Sequence, residues 1–230
     1  MDDELLIVED LMLLLLADDG SQIAGSKVLH CVLPAAILTE LALTGRLEVH
    51  SHRRVGGTRI HASRTNADPE IDPLLAEVLR AMGGSEHSAY GLVSALGLDV
   101  RQPVLDRLAA RGLILREIRK ILGVLPTTRW PSLDSRAEAA LRDRVTAVLD
   151  RGRSPDARTA AIIVLISAAG VYVQLSPRMP WNAEVAWRLK AIERGEVTGH
   201  DGTPAAQEII DEIARAVFAL TSSASSAPIL

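Results

Sequence analysis

Cysteine is nearly missing from this chain. Cys31 stands alone among 230 residues, so no internal disulfide can form and no thiolate cage can hold a metal. That usage fits a reducing, cytoplasmic compartment. Aromatic residues are almost as scarce, with three Trp, two Tyr and one Phe, although apolar residues make up 48% of the chain. The core must therefore be filled by Leu, Ile, Val and Ala, a composition that favours packed helices. Charge of one sign is not in excess either: 25 basic and 29 acidic residues leave a net charge of -4, which disfavours a general attraction to nucleic acid. No basic leader precedes the first apolar run, since Asp2, Asp3, Glu4, Glu9 and Asp10 surround it, and this argues against a secretory signal. A glycine-rich phosphate loop, a nucleophile elbow and a metalloprotease helix are all missing. The sequence thus points away from an enzyme and implies no cofactor.

What is present is dominated by one segment, Ser154 to Leu175. Ser154 reads as an N-cap, Pro155 as the first helical position and Asp156 as an acid in the first turn. The residues that follow are apolar on every face for about four turns, and such a helix must be wrapped by others. A bilayer span would need about 20 apolar residues, whereas Ser167 and Gly170 interrupt this run and Arg158 and Gln174 bound it. The expected fold is mainly α: a helical bundle around this buried apolar helix, with two short β-hairpins. Residues 1–220 are read as one domain and 221–230 as a flexible tail.

The flanking segments follow from their punctuation. Leu5–Leu16 reads as a short helix and then a strand, split by Glu9-Asp10. Ser26 is expected to cap a helix from Lys27 to Thr44, kinked or broken at Pro34. Arg46–His50 and Thr58–Ala62 pair as a hairpin across Gly56-Gly57. Asp72 caps a helix from Pro73 to Met82, and Tyr90–Leu96 and Asp99–Arg111 form two more. A second hairpin follows from Leu113, its turn near Arg119 to Gly123. Ser135 with Glu138 has capping-box spacing and opens a helix to Leu149. Trp181–Arg194 and Pro204–Leu220 complete the helices.

Three constellations carry possible chemistry. Residues 101–129 hold seven bases, namely Arg101, Arg107, Arg111, Arg116, Arg119, Lys120 and Arg129, against Asp106 and Glu117, a block that can form a basic face. Arg101 lies in the first turn after Asp99, where unpaired N–H groups and the helix dipole favour an anion, and Arg119, Lys120, Arg46 or Lys27 could join it around a phosphate. The hairpin tip, Ile121, Leu122, Val124 and Leu125, is apolar between basic flanks. It can enter a membrane interface, pair with another subunit or simply pack inward. His50, His52 and His61 could share a face of the first hairpin, but zinc wants three or four well-placed ligands, and solvated strand histidines are the expectation. Cys31 is read as core.

The ordered motifs resemble the Golgi phosphoprotein 3 family: Leu5–Leu16, Glu40-Leu-Ala-Leu-Thr-Gly-Arg-Leu47, Asp72-Pro-Leu-Leu75, Leu105–Leu115, Leu122–Pro131 and Pro155–Gly170. The resemblance implies a helical core wrapped by further helices, with a hydrophobic hairpin used in self-association through residues 113–130 and, in eukaryotic members, in membrane contact. Eukaryotic members bind phosphatidylinositol 4-phosphate at the Golgi and act as adaptors that retain glycosyltransferases. The Ala- and Arg-rich composition is similar to the bacterial branch. By this resemblance the ligand is an anionic phospholipid head group, the partners are further copies of the chain and a membrane-protein client, and the location is the cytoplasmic face of a membrane. In the eukaryotic pocket a tryptophan and an arginine meet two basic residues. The matching positions here are Gly25 and Pro34, and Leu98 and Arg101, so only Arg101 carries over.

Two other readings start from the same residues. Leu92–Leu115 has the pattern helix, turn, helix and then a wing, in which Arg101, Gln102 and Arg107 would face DNA. Alternatively, the helical scaffold docks proteins without lipid.

Overall fold

The structure, a computed structural model, describes residues 4–17, 19–20, 23–52, 57–63, 71–96, 100–121, 125–175 and 177–224. In chain order its helices are α1 (Ile7–Leu15), α2 (Leu29–Leu43), α3 (Pro73–Met82), α4 (Ala89–Leu96), α5 (Arg101–Ala110), α6 (Arg136–Leu149), α7 (Ala157–Ala168), α8 (Ala183–Glu193) and α9 (Pro204–Ala224). The strands are β1 (Leu47–His52), β2 (Gly57–Ala62), β3 (Glu117–Ile121) and β4 (Leu125–Arg129). They form two separate antiparallel hairpins, with Val49 opposite Ile60 in the first and Arg119 opposite Thr127 in the second. The expected architecture, mainly α with two short hairpins, is the one observed. Helix α9 runs four residues past Leu220, and the chain beyond Ala224 lies outside the described residues.

Buried Leu, Ile, Val and Ala from every helix merge into one apolar cluster. Helix α7 is buried as its all-round apolar sequence requires. It shares the centre with α2, which packs against α1, α4, α7 and α9. Pro34 sits inside α2 without breaking it. Several caps differ from expectation because a better-placed donor or acceptor competes. Asp156 caps α7 by accepting from Thr159 N at 2.6 Å, leaving Ser154 and Pro155 upstream. Asp134, rather than Ser135, accepts from Arg136 N at the start of α6, because Glu138 is turned to Arg142 at 2.7 Å instead of closing a capping box. Ser26 lies in a turn, and α2 starts after Val28 with no side-chain cap. Asp72 does cap α3, accepting from Leu74 N at 2.8 Å.

The largest departure is at α1. Glu9 and Asp10 do not divide a helix from a strand: α1 is continuous, every residue in it is buried, and Leu16 makes only an isolated bridge with Ile23. Burying two adjacent carboxylates demands counter-charge, and it comes from far along the chain. Glu9 Oε1 lies 3.2 Å from Arg107 Nε on α5 and 3.2 Å from Nε of Arg111, which caps the end of that helix. Arg107 Nη2 also donates to Asp72 at 2.7 Å. Asp10 accepts from Arg158 Nη2 at 2.8 Å, and the same guanidinium donates to Glu40 at 3.2 Å and to the Leu5 carbonyl. Glu40 also accepts from Ile7 N at 2.6 Å. One cluster thus ties α1 to α2 and α7, and another ties it to α5 and the start of α3.

Burial pushes the Asp10 and Glu40 carboxyls above their usual range despite the opposing pull of Arg158. Since the folded-state value is the raised one, their charged forms cost stability above it, and the cost is relieved as pH falls through it. Arg158→Leu, which leaves both carboxylates uncompensated, is expected to cost about 3–5 kcal/mol near neutral pH. That deficit should shrink at acid pH as the two carboxyls take up protons. Urea denaturation of the variant and the parent at neutral and acid pH checks both the size and the sign.

Candidate functional site

The β3–β4 hairpin carries much of the basic block and part of the exposed apolar surface. Its base is locked to the body. Leu115 N donates to the Pro131 carbonyl at 2.9 Å and Leu133 N to the Leu113 carbonyl at 2.8 Å, while Ile114 bridges Ser132. Trp130 is buried at this base, with Arg116 5.7 Å over its ring. Gly20 makes the docking possible: its φ is +63°, and a Cβ there would lie 2.2 Å from the Trp130 carbonyl carbon and from Pro131 N.

Ile114 and Trp130 are buried, whereas Ile118, opposite Thr128 and so on the same face as Trp130, is 68% exposed, and Leu115 and Leu133 are exposed at the hairpin base. Isolated exposed apolar residues mean little; three along one short hairpin leave it apolar surface to offer. Of the tip residues, Leu122 and Val124 lie outside the described residues. Ile121 and Leu125 pair as the last residues of the ladder. Arg119 and Lys120 hold neighbouring positions in β3, opposite Thr127 and Pro126. Arg101 is exposed at the first position of α5.

The basic block does not survive whole. Arg107 and Arg111, read as part of a basic face, both pair with buried Glu9. Arg107 therefore does not face outward, as DNA contact would require. Gln102 donates to Asp106 at 2.8 Å along α5. Of the described side chains in this block, Arg101, Arg111 and Arg116 are exposed and Arg107 and Arg129 are half-buried.

Two concave regions lie elsewhere. A cleft of about 940 Å³ runs between the 23–28 turn, the end of α7, α8 and α9. It includes Gly25, one of the positions matched to the eukaryotic pocket, and Lys27. Sequence reading missed its other polar walls, Gln174 and Lys190. Gly25 N donates to Gln174 Oε1 at 3.3 Å, and Lys190 Nζ lies 2.6 Å from Glu193. These residues are far apart in sequence, and no local pattern joins them. A smaller cavity of about 470 Å³ is lined by Glu48, His50, His61 and Glu86. The His50 and His61 rings are 4.4 Å apart, and His50 Nδ1 is 2.9 Å from Glu86. Even so, no group of three or more metal-ligating side chains is placed to hold an ion among the described residues. The side chain of His52 lies outside them. Cys31 is buried in α2, and burial raises its thiol pKa.

Gly20→Ala should displace the hairpin base, because both a left-handed φ and backbone atoms stand in the way of a methyl group. A loss of roughly 1–3 kcal/mol, with a weakened near-ultraviolet signal from Trp130, is the expected result of thermal melts monitored by circular dichroism.

Among the described residues, no helix is long and apolar enough to cross a membrane. None of the curated proteins compared with the chain matches it. A family model does: Golgi phosphoprotein 3 (GPP34), a family of non-enzymatic adaptors, matches residues 7–213. That span runs from the first residue of α1 into α9 and takes in both hairpins and the buried charge clusters. With nearly its whole length matched, and with the helical body and paired hairpins that its motifs imply, the chain belongs to the Golgi phosphoprotein 3 family.

Proposed function

We propose that the protein is a non-enzymatic adaptor that docks peripherally on the cytoplasmic face of a membrane. It binds anionic, phosphoinositide-like head groups with Arg101, Arg119 and Lys120 and holds a membrane-protein client. The observation that carries this reading is the exposure of three apolar residues, Leu115, Ile118 and Leu133, along a hairpin with cationic neighbours. Such a combination gains from apolar insertion and from charge together, and neither contribution alone holds a protein stably to a bilayer. Arg101, at the start of α5, supplies a fixed charge where the helix end already favours an anion. Ile121, Leu122, Val124 and Leu125 form the tip, which serves membrane contact or pairing with the hairpin of another copy. A winged-helix DNA reading has less support, because Arg107 is committed to Glu9 and Asp72.

Flotation with liposomes tests the reading. The protein is mixed with neutral lipid alone or with phosphatidylinositol, its 4-phosphate or another anionic lipid, at low and moderate salt. Binding is expected to require anionic lipid and to weaken with salt. Replacing one basic contact removes about 1 kcal/mol, roughly a fivefold loss, and Arg101→Glu should lose more because it adds repulsion. An Arg101→Glu protein that floats as well as the parent would remove Arg101 from the site. Absence of flotation with every lipid would sink the membrane reading.

A second prediction concerns assembly. If the hairpins pair, Ile118→Asp should lower the sedimentation-velocity mass of the free protein. If the hairpin serves lipid alone, the mass stays unchanged and only flotation falls.

A further inference from the structure

A second exposed apolar surface lies at another end of the bundle, around the start of α8. The loop after α7 folds back so that Tyr172 donates its hydroxyl to the Pro180 carbonyl at 3.0 Å and stacks obliquely on Trp181 with ring centroids 5.6 Å apart. Asn182 donates to Asp150 at 3.3 Å, and Arg188 donates to the Leu149 and Asp150 carbonyls at 2.8 and 2.7 Å. These bonds hold the end of α6, the 150–153 loop, Tyr172, the 180–182 stretch and the first turns of α8 together. On this framework Trp181 is 56% exposed, Trp187 65% and Val173 61%. Two of the three tryptophans in an aromatic-poor chain therefore face outward at one end of the fold.

Two of the acids on this end are paired with arginines, Glu184 with Arg188 and Asp143 with Arg151 at 2.8 Å, while Asp150 accepts from the neutral amide of Asn182. Arg153 and Arg178 are exposed and make no ion pair among the described residues. Exposed indoles carry an apolar ring and an N–H donor, which suits them to the boundary between acyl chains and head groups. Unpaired arginines beside them suit an anionic surface.

We infer that this end of the bundle is a second lipid-contact surface, in which Trp181, Trp187 and Val173 seat in the interfacial zone of an anionic membrane while Arg153 and Arg178 meet its head groups. This rests on the membrane reading above but is carried by different residues on different elements. It gives the protein two points of attachment, so that contact through each raises the effective concentration of the other.

The full-length protein with vesicles of phosphatidylcholine, with or without phosphatidylserine, is the test. Binding should shift tryptophan emission to the blue, and lipids brominated in the upper acyl chain should quench it. A Trp181→Phe/Trp187→Phe protein retains only buried Trp130 and should show neither change. Trp181→Ala/Trp187→Ala should bind anionic vesicles about tenfold or more weakly. Arg153→Glu/Arg178→Glu, which leaves the packing alone, should show a loss that high salt erases.

The inference is overturned, with the hairpin reading intact, if parent emission is unchanged on vesicles that bind through the hairpin and both α8-end variants bind normally. It is also overturned, in favour of contact between copies, if the emission shift appears with protein concentration alone and tracks mass in sedimentation. If the parent binds no vesicle, both membrane proposals fall together.

Discussion

Two adjacent carboxylates buried in the first helix set the terms for the whole structure. An ionised group taken out of water costs several kcal/mol unless it is paired and hydrogen-bonded, and α1 offers Glu9 and Asp10 on neighbouring positions that face different ways. Each therefore recruits its own partners: Arg107 and Arg111 from α5 and its C-cap on one side, and Arg158 from α7 on the other. Glu40 adds a second acid to Arg158 and caps the free Ile7 N–H. The result is a register device. Helix α1 is apolar enough to sit against the core in more than one rotation, but only one rotation pairs both acids.

The same device shapes the outer surface. Because Arg107 and Arg111 spend charge on buried Glu9, the basic block before the hairpin is partly neutralised, and Arg101 stands exposed at the start of α5. Docking of the hairpin follows a steric rule in place of an electrostatic one. The backbone of Gly20 touches that of Trp130 and Pro131, and the Trp130 indole is buried there. Ile118, on the same face as Trp130 but further along the ladder, stays exposed, as do Leu115 and Leu133 at the base. A protein that displays such residues while its core is complete has surface available for a bilayer, another copy or a client.

Membership of an adaptor family fits this economy. The interior shows no convergent metal-ligand group among the described residues, and its buried carboxyls are already committed to structural arginines. The features left for function are at the surface, on the hairpin edge and at the tryptophan-bearing end near α8. They are separated along the chain and differ in chemistry, apolar aliphatic at one and aromatic at the other.

By itself the sequence determined whatever depends on neighbours within a turn or two. The all-round apolar run made α7 a buried helix, Asp72 followed by Pro73 placed the start of α3, the strand–glycine–strand patterns marked both hairpins, and the ordered motifs identified the family. Tertiary structure alone decided what depends on residues brought from far away. Glu9-Asp10 looked like a break because adjacent acids are normally solvated, and only Arg107, Arg111 and Arg158, about 100 to 150 residues downstream, make burial possible. Ser135 and Ser26 had the chemistry of caps but lost to Asp134 and to a turn. The outward stance of Trp181 and Trp187 was equally invisible, because an aromatic residue in a short amphipathic helix reads as core until the packing shows that Val185, Leu189 and Ile192 already fill the inner face.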